Sequence, residues 1–292
     1  MAQSTCPVDT WDFSELLGFS AAAGSGYRPY ALVVLNTPIS AAHGSGFMRL
    51  WGHASLRVCA DGAANRVLDA VGQDTWGDTL LPTEICGDLD SLRDDVRAFF
   101  AARGVPIVRV PTQYATDMQK GVRRVEDAEA LSRAPAYHLV IFGGLSGRVD
   151  QTVHTLHVLW QLAPGVPETP GVEYPDEGHA DARAGRLAKR AHAVVVSDES
   201  VTCLLPAGTH ELRHNRAVLG KSCGLLPLGT GPPGARISTE GLEWNLNGEA
   251  SWLGGLLSTS NHLAPGNAAG IVRLTNDAPV YWTVEWRGGK TG

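Results

Sequence analysis

Residues 85–92 read ICGDLDSL. A short apolar run meets a glycine and then two carboxylates separated by a single residue. Beyond them Leu92, Val96, Phe99 and Phe100 recur at helical spacing until Gly104. The stretch therefore predicts a buried strand, an acid-bearing loop and a helix, which is the repeating unit of a parallel α/β sheet. If Glu84, Ile85 and Cys86 end the strand, alternation places Asp88 and Asp90 on one side and turns Leu89 back into the packing. Two carboxylates facing one way repel unless a cation lies between them, and Mg2+, a hard ion with oxygen ligands, is the usual solution. The same run also reads as a turn with a helix cap, because Asp and Ser are favoured there. The octapeptide alone leaves both readings open.

Working outward, residues 31–35, 56–60, 107–110 and 139–142 are further short apolar runs, each separated from the next by a segment of helical or loop character. Short apolar strands alternating with helices imply a parallel sheet covered on both faces, with ligands bound at the carboxyl ends of its strands. The polar motifs here directly follow strands, so the topology brings them to one edge. After residue 191 the signals become strand-like only, at residues 193–196, 201–205, 225–228, 252–257, 271–274 and 280–286, with Pro- and Gly-rich turns between them. The expected fold class is α/β: an N-terminal parallel-sheet α/β domain followed by a C-terminal antiparallel β-sandwich. The expected division is an N-terminal extension at 1–28, the α/β domain at 29–162, a polar insertion or linker at 163–191 and the β-sandwich at 192–292. Within the extension, AAAGSG at 21–26 reads as a linker, while Trp11, Phe13, Leu16 and Leu17 are suited to docking on the body.

The totals narrow the function classes. The chain has 292 residues and a formal net charge of -6, with no cluster of Lys and Arg, so nothing in its charge calls for nucleic acid or a membrane surface. Its five cysteines are scattered and odd in number, which argues against a disulfide framework or a structural zinc site. No run approaches the length of a membrane span and no leader is legible, so a cytoplasmic protein is expected. The full P-loop fingerprint, GxxxxGK followed by Ser or Thr, is absent from the sequence.

Several polar groups remain. Asp61, Gly62 and Asn65 sit at a strand-to-helix junction, where glycine permits close backbone approach and a helix N-terminus offers amides to phosphate; a plain turn and cap is the competing reading. TQYATDMQK, at 112–120, carries Gln113, Asp117 and Lys120. The last two are either a solvated i, i+3 pair or a third acid beside a metal with a cation for phosphate. FGGLSGRVDQ, at 142–151, places Arg148 and Asp150 after a glycine-rich loop, and arginine suits bidentate phosphate contact. His154 and His157 follow on a helix and read as packing or surface residues. In the β-only region Trp244 and the cluster 258–261, STSN, offer a stacking surface and hydrogen-bonding groups for a flat heteroaromatic ring, with core packing as the default alternative for the indole.

Taken together, ADGAANR at 60–66, GDLDS at 87–91, TDMQK at 116–120, GRVDQ at 147–151 and the late GLEWNL and STSN resemble the thiamine pyrophosphokinases, specifically the fungal-type members. The motifs occur in the family's order across most of the chain. Ala63, Leu89 and Ser146 depart from residues frequent in the family, and the insertion at 163–191 is longer than the family leads one to expect. The resemblance implies a catalytic α/β domain and a thiamine-binding β-sandwich. It implies a homodimer with shared active sites, and transfer of pyrophosphate from Mg-ATP to thiamine with release of AMP. By resemblance, Asp88, Asp90 and Asp117 would hold Mg2+, and Gln113, Lys120 and Arg148 would orient and neutralise the transferring group. Asp61 and Asn65 would line the nucleotide side, Asp150 would stand near the thiamine hydroxyl, and Trp244 would stack on the pyrimidine with Ser260 and Asn261 nearby. A metal-dependent glycosyltransferase would account for the Asp-x-Asp run but not for the other motifs, and a non-catalytic thiamine or nucleotide sensor would not need the full acidic and basic set.

Overall fold

The structure, a computed structural model, describes residues 7–19, 29–40, 44–72, 80–133, 135–166 and 187–288. The linker expected at 21–26 and most of the insertion expected at 163–191 lie outside the described residues. Six parallel strands form one side of a ten-stranded sheet: β2 (Tyr30–Val34), β3 (Leu56–Ala60), β4 (Glu84–Gly87), β5 (Ile107–Arg109), β6 (His138–Phe142) and β7 (Ala193–Val196), in spatial order β5-β4-β3-β2-β6-β7. Strand alternation explains why these runs are apolar throughout. Tyr30, Leu32 and Val34 pack on one face with Phe47, Leu50 and Trp51 of helix α2 (Gly44–His53). Ala31 and Val33 pack on the other with Met118, Val122 and Val125 of α5 (Asp117–Ser132) and Val158 and Leu159 of α6 (Val149–Leu162). Helices α3 (Ala63–Val71) and α4 (Asp94–Ala101) lie on the α2 side, contributing Val67, Leu68, Val96 and Phe100 to the first core.

The sheet does not stop at β7. Strand β8 (Ser200–Leu205) pairs antiparallel with it, and β15 (Val280–Trp286), β10 (Leu219–Leu226) and β13 (Ser258–His262) extend the same sheet. A second sheet, in order β1 (Val8–Asp12), β9 (Gly208–Arg213), β14 (Ile271–Asn276), β11 (Ala235–Glu240) and β12 (Asn247–Ser251), covers this antiparallel half. Leu212, Ile237, Val272 and Leu274 from the second sheet share a core with Cys203, Leu225, Trp282 and Val284 from the first, completing the sandwich. The expected class, α/β followed by a β-sandwich, is the observed one.

Two local expectations change. Trp11, Phe13, Leu16 and Leu17 are buried, and they belong to β1, the short helix α1 (Phe13–Leu16) capped by the Asp12 carboxylate, and the residue after it, so the N-terminal extension supplies a strand to the second sheet. The strand expected at 252–257 is instead a turn. Gly254 takes φ +97°, the Gly255 amide donates to the Trp252 carbonyl, and the Ser251 hydroxyl donates to the Leu256 carbonyl.

Candidate active site

The order of the parallel strands reverses between β2 and β6, and such a switch point opens a crevice at the carboxyl ends of the strands. A cavity of about 930 Å3 lies there, its wall including Asn36 and Thr37 after β2, Asp88 after β4, Gln113 after β5 and Gly144 and Arg148 after β6. The glycines explain how the crevice stays open. A Cβ on Gly144, which has φ +85°, would stand 2.6 Å from the Thr155 hydroxyl oxygen. That hydroxyl donates to the Gly144 carbonyl at 2.8 Å, while the Gly144 amide donates to the Thr37 hydroxyl at 3.4 Å, so the loop is tied to both flanking elements.

At the floor of this edge stand three carboxylates, two from the ends of β3 and β4 and one from the first turn of α5. Asp61, Asp88 and Asp117 each place an oxygen within 4.8 Å of the other two. Their convergence depends on unusual backbone. Asp61 has φ +48° and Leu89 has φ +66°, a left-handed conformation that non-glycine residues adopt at a cost and that is concentrated at functional sites. Gly87 supplies the room: a Cβ there would lie 2.8 Å from the Asp61 Cβ and 3.3 Å from an Asp117 oxygen.

The chain leaves β4 at Gly87, so strand alternation does not reach Asp90. The Asp90 amide donates to an Asp88 oxygen at 3.3 Å, its carboxylate accepts from the Ser91 hydroxyl at 3.0 Å, and it lies exposed outside the triad. Asp61, expected on the nucleotide side, takes the third place.

Lys120 is buried, and its ammonium sits 3.1 Å from Asp117 Oδ1 and 3.9 Å from Asp88 Oδ2. Asp61 has less relief. It is 3% exposed, its Oδ1 is buried without a hydrogen-bond partner, and Oδ2 accepts from the Ser91 amide at 3.3 Å. Burial raises its pKa above the ordinary carboxylate range, and the neighbouring charges of Asp117 and Asp88 add to the rise against hydrogen bonds from Gly62 and Ser91. An orphaned buried oxygen beside two further carboxylates fits a divalent cation with oxygen ligands. The nearby thiol of Cys86 is no nucleophile, since burial pushes it up to about 12.

The other expected residues fall into three places. Asn65 is internal to the fold: its side-chain amide donates to the Ser91 carbonyl at 2.7 Å and its oxygen accepts from the Arg93 amide at 3.1 Å, which pins the loop after β4. Gln113 and Arg148 line the cavity. Arg148 is exposed and paired with Asp150, its Nε donating to Oδ1 at 3.0 Å, and this pair stands apart from the triad.

Trp244, Ser260 and Asn261 line no part of this cavity. Asn261 is buried and spends its amide on the Trp244 carbonyl at 2.8 Å, presenting an indole that is 56% exposed. Ser260, with φ +55°, lines a second cavity of about 650 Å3 with Glu199, Ser222 and Glu285. Asn36, Thr37 and His154, which the sequence reading assigned no site role, also line the first cavity. For Asn36 and Thr37 a signal existed, since the polar Asn-Thr-Pro directly follows a buried strand.

Residues 47–167 match the family described as "Thiamin pyrophosphokinase, catalytic domain", and residues 209–280 match "Thiamin pyrophosphokinase, vitamin B1 binding domain". Thiamine pyrophosphokinase 3 of Oryza sativa subsp. japonica is 32% identical over 267 residues, covering 88% of this chain and 87% of its own. The chain belongs to the thiamine pyrophosphokinase family. Other members include thiamine pyrophosphokinase 2 of Arabidopsis thaliana, 31% identical over 278 residues, covering 90% of this chain and 88% of its own. The Saccharomyces cerevisiae enzyme is 26% identical over 268 residues, covering 77% and 76%. Plant members thus match at higher identity than the yeast one, and the comparisons do not single out the fungal-type likeness expected from the motifs. In fold, the crystal structure of yeast thiamin pyrophosphokinase superposes with a TM-score of 0.73 at 22% identity, covering 100% of this chain and 95% of that one. Among the described residues no helix is long and apolar enough to cross a membrane.

Proposed function

We propose that this chain is a thiamine pyrophosphokinase, transferring the pyrophosphoryl group of ATP to the hydroxyl of thiamine to give thiamine pyrophosphate and AMP. The observation that carries the reading is the triad of Asp61, Asp88 and Asp117 with Lys120 at the switch-point crevice of a chain in this family. Asp61, Asp88 and Asp117 would hold Mg2+, which when bound supplies positive charge to the phosphates; Asp90 is kept as a further candidate ligand at the exposed rim of the same loop.

In the reaction the thiamine oxygen forms a bond to the β-phosphorus, the bond from that phosphorus to the oxygen bridging it to the α-phosphate breaks, AMP leaves with the electron pair, and the hydroxyl proton passes to solvent. A loose transition state places little demand on a base, so the chain's work is positioning and charge neutralisation. Lys120 is a fixed cation at the floor. Gln113 and Arg148, at the wall, are assigned to orienting the phosphates, and Arg148 becomes available when phosphate replaces its partner Asp150. Asp150, once released, is assigned to the thiamine hydroxyl. Asn65 acts at one remove by holding the loop after β4 in place.

Trp244, Ser260 and Asn261 are assigned to the thiamine ring. Because they line no part of the acid-bearing cavity of their own chain, the reading includes a homodimer in which each site combines the α/β half of one subunit with the sandwich of the other. A cytoplasmic location is part of the same proposal.

The test is to incubate purified protein with thiamine, ATP and Mg2+ and quantify thiamine pyrophosphate and AMP beside an EDTA control. Equimolar, EDTA-sensitive products are expected. ADP with thiamine monophosphate would replace the reading by ordinary kinase chemistry, and no product at all would refute it. For the shared site, Asp117→Asn, inactive alone, and Trp244→Ala, weakened at thiamine concentrations well below its KM, are expected to give activity with the wild-type KM for thiamine when unfolded and refolded together. Failure to complement, with mixed dimers present, would refute the sharing.

A further inference from the structure

The cavity wall is formed partly by α6, and a polar contact joins that helix to α5 where α5 begins. His154 Nε2 lies 2.8 Å from the Thr116 hydroxyl oxygen. Thr116 is the N-cap of α5, and the next residue is Asp117. The cap is reciprocal: the Thr116 oxygen accepts from the Gln119 amide at 3.4 Å, and Gln119 Oε1 accepts from the Thr116 amide at 3.1 Å. One more link runs in parallel, Gln119 Nε2 donating to Gln161 Oε1 of α6 at 3.2 Å.

We propose that His154 is a positioning residue, which fixes the rotation of the Thr116 hydroxyl and through it the first turn of α5, bearing Asp117 and Lys120. The inference rests on the reading of the triad as the metal and phosphate site.

The physical argument concerns the single proton of the Thr116 hydroxyl. It can be given to His154 at 2.8 Å or to Gln119 Oε1 at 3.4 Å. If it goes to Gln119, that oxygen must serve both the Thr116 amide and the hydroxyl. Given to His154, it leaves Gln119 Oε1 for the backbone and the hydroxyl lone pairs for the Gln119 amide, so every donor of the cap has its own acceptor. This needs an unprotonated Nε2. Burial, followed by the charge of His157, holds the His154 pKa below its ordinary value, which keeps the ring neutral near pH 7. Immediately beyond His154, α6 is anchored to the glycine loop, because the Thr155 hydroxyl donates to the Gly144 carbonyl. His154 thus connects the first turn of α5, with Asp117 and Lys120, to the helix that follows Arg148 and Asp150.

The experiment compares His154→Phe, which keeps a ring without an acceptor, with His154→Gln, whose amide oxygen can still accept, each alone and combined with Thr116→Val. Two readouts are taken: Mg2+ affinity from the rise in melting temperature on titration with MgCl2, and kcat and KM in thiamine pyrophosphate formation. His154→Phe is expected to weaken Mg2+ binding and lower kcat, each on the order of tenfold, the usual scale for residues that orient metal ligands, with the KM for thiamine nearly unchanged. His154→Gln is expected to recover most of both. In the Thr116→Val background His154→Phe should have little further effect, because the shared hydroxyl is already gone. Unaltered Mg2+ affinity and kcat in His154→Phe, effects that simply multiply with those of Thr116→Val, or no recovery in His154→Gln would each overturn the proposal. If the wild type binds Mg2+ but forms no product, the reading of the activity fails and the titration alone decides the role of His154. A wild type whose melting temperature ignores Mg2+ overturns both.

Discussion

Asp61→Asn separates what the triad does for function from what it costs in stability. Asn tolerates the left-handed backbone that Asp61 adopts at φ +48° and keeps the side chain's shape, so the change removes charge and little else. Ligand oxygens within 4.8 Å imply a repulsion of about 3 kcal/mol per carboxylate pair at an effective dielectric near 20, before screening. Lys120 offsets this for Asp117 and Asp88, at 3.1 and 3.9 Å, while Asp61 Oδ1 has no hydrogen-bond partner. Solvent reaches Asp88 and Asp117, so the net relief on neutralising Asp61 is smaller, about 1–2 kcal/mol. For a chain of this size that is a rise in melting temperature of roughly 2–8 °C without metal. With Mg2+ the sign reverses, because the ion loses an anionic ligand and its affinity falls on the order of a hundredfold, about 3 kcal/mol. Thermal unfolding across a MgCl2 titration reads both effects. A variant that melts lower than wild type without metal and keeps the wild-type response to Mg2+ would refute the triad as a cation site.

Three further outcomes follow from single contacts. Gly87→Ala puts a Cβ 2.8 Å from the Asp61 Cβ on a backbone with φ +154°, so a loss of about 2–4 kcal/mol in urea unfolding and a sharp drop in turnover are expected; wild-type values for both would disprove the tight fit. Trp244→Ala should raise the KM for thiamine roughly tenfold with the KM for ATP and the melting temperature little changed, and equal effects on both substrates would remove the indole from the thiamine site. His214 is buried between Phe13 and Trp282, and burial lowers its pKa to about 4, so between about pH 6.5 and 4 the unfolded chain binds a proton that the folded chain refuses. Stability should therefore fall as pH drops through that window, by about 3 kcal/mol from this residue. His214→Gln, which can still donate to the Gly270 carbonyl, should remove that increment in urea unfolding at pH 7 and pH 4; an unchanged increment would exclude His214 as its source.

The sequence revealed the parallel half of the fold because strands buried on both faces read as continuous apolar runs. Residues 31–34 and 139–142 are buried end to end, and their alternate members enter two different cores. The sandwich was less legible. ARISTE at Ala235–Glu240 alternates buried and exposed residues, but its inward set is Ala, Ile and Thr, too weak a pattern to mark a strand. At 252–257 Trp and Leu suggested a strand, while Gly254 and Gly255 turn the chain. In the site, sequence reasoning found the acids, and the structure groups Asp88 and Asp117 with Asp61 where the sequence pointed to Asp90. Asp88 and Asp90 look paired only if the strand continues past Gly87; the left-handed Leu89 breaks the alternation, and the partner of Asp88 is Asp61, brought close by the pairing of β3 with β4. His154 read as packing because its partner Thr116 lies 38 positions upstream, on another helix.

The continuous sheet bears on how such an enzyme can assemble its site. Domain closure requires a few hinge residues that absorb the motion while both bodies stay intact. Here β7 pairs with β6 on one side and with β8 on the other, with Val194 and Val196 buried in one core and Val195 in the other. Bending between the halves would break ladder hydrogen bonds and open a packed interior, each on the order of 1 kcal/mol or more per group exposed. The carboxylate triad and Trp244 are therefore held at a fixed separation within one chain. Under the proposed shared site, a substrate that touches both would be reached by the Trp244 of a second copy. The same rigidity gives each half a defined surface to present: Asn261 sets the place of the Trp244 ring and leaves the indole exposed, and in the proposed shared site that open face would meet the α/β half of a second copy.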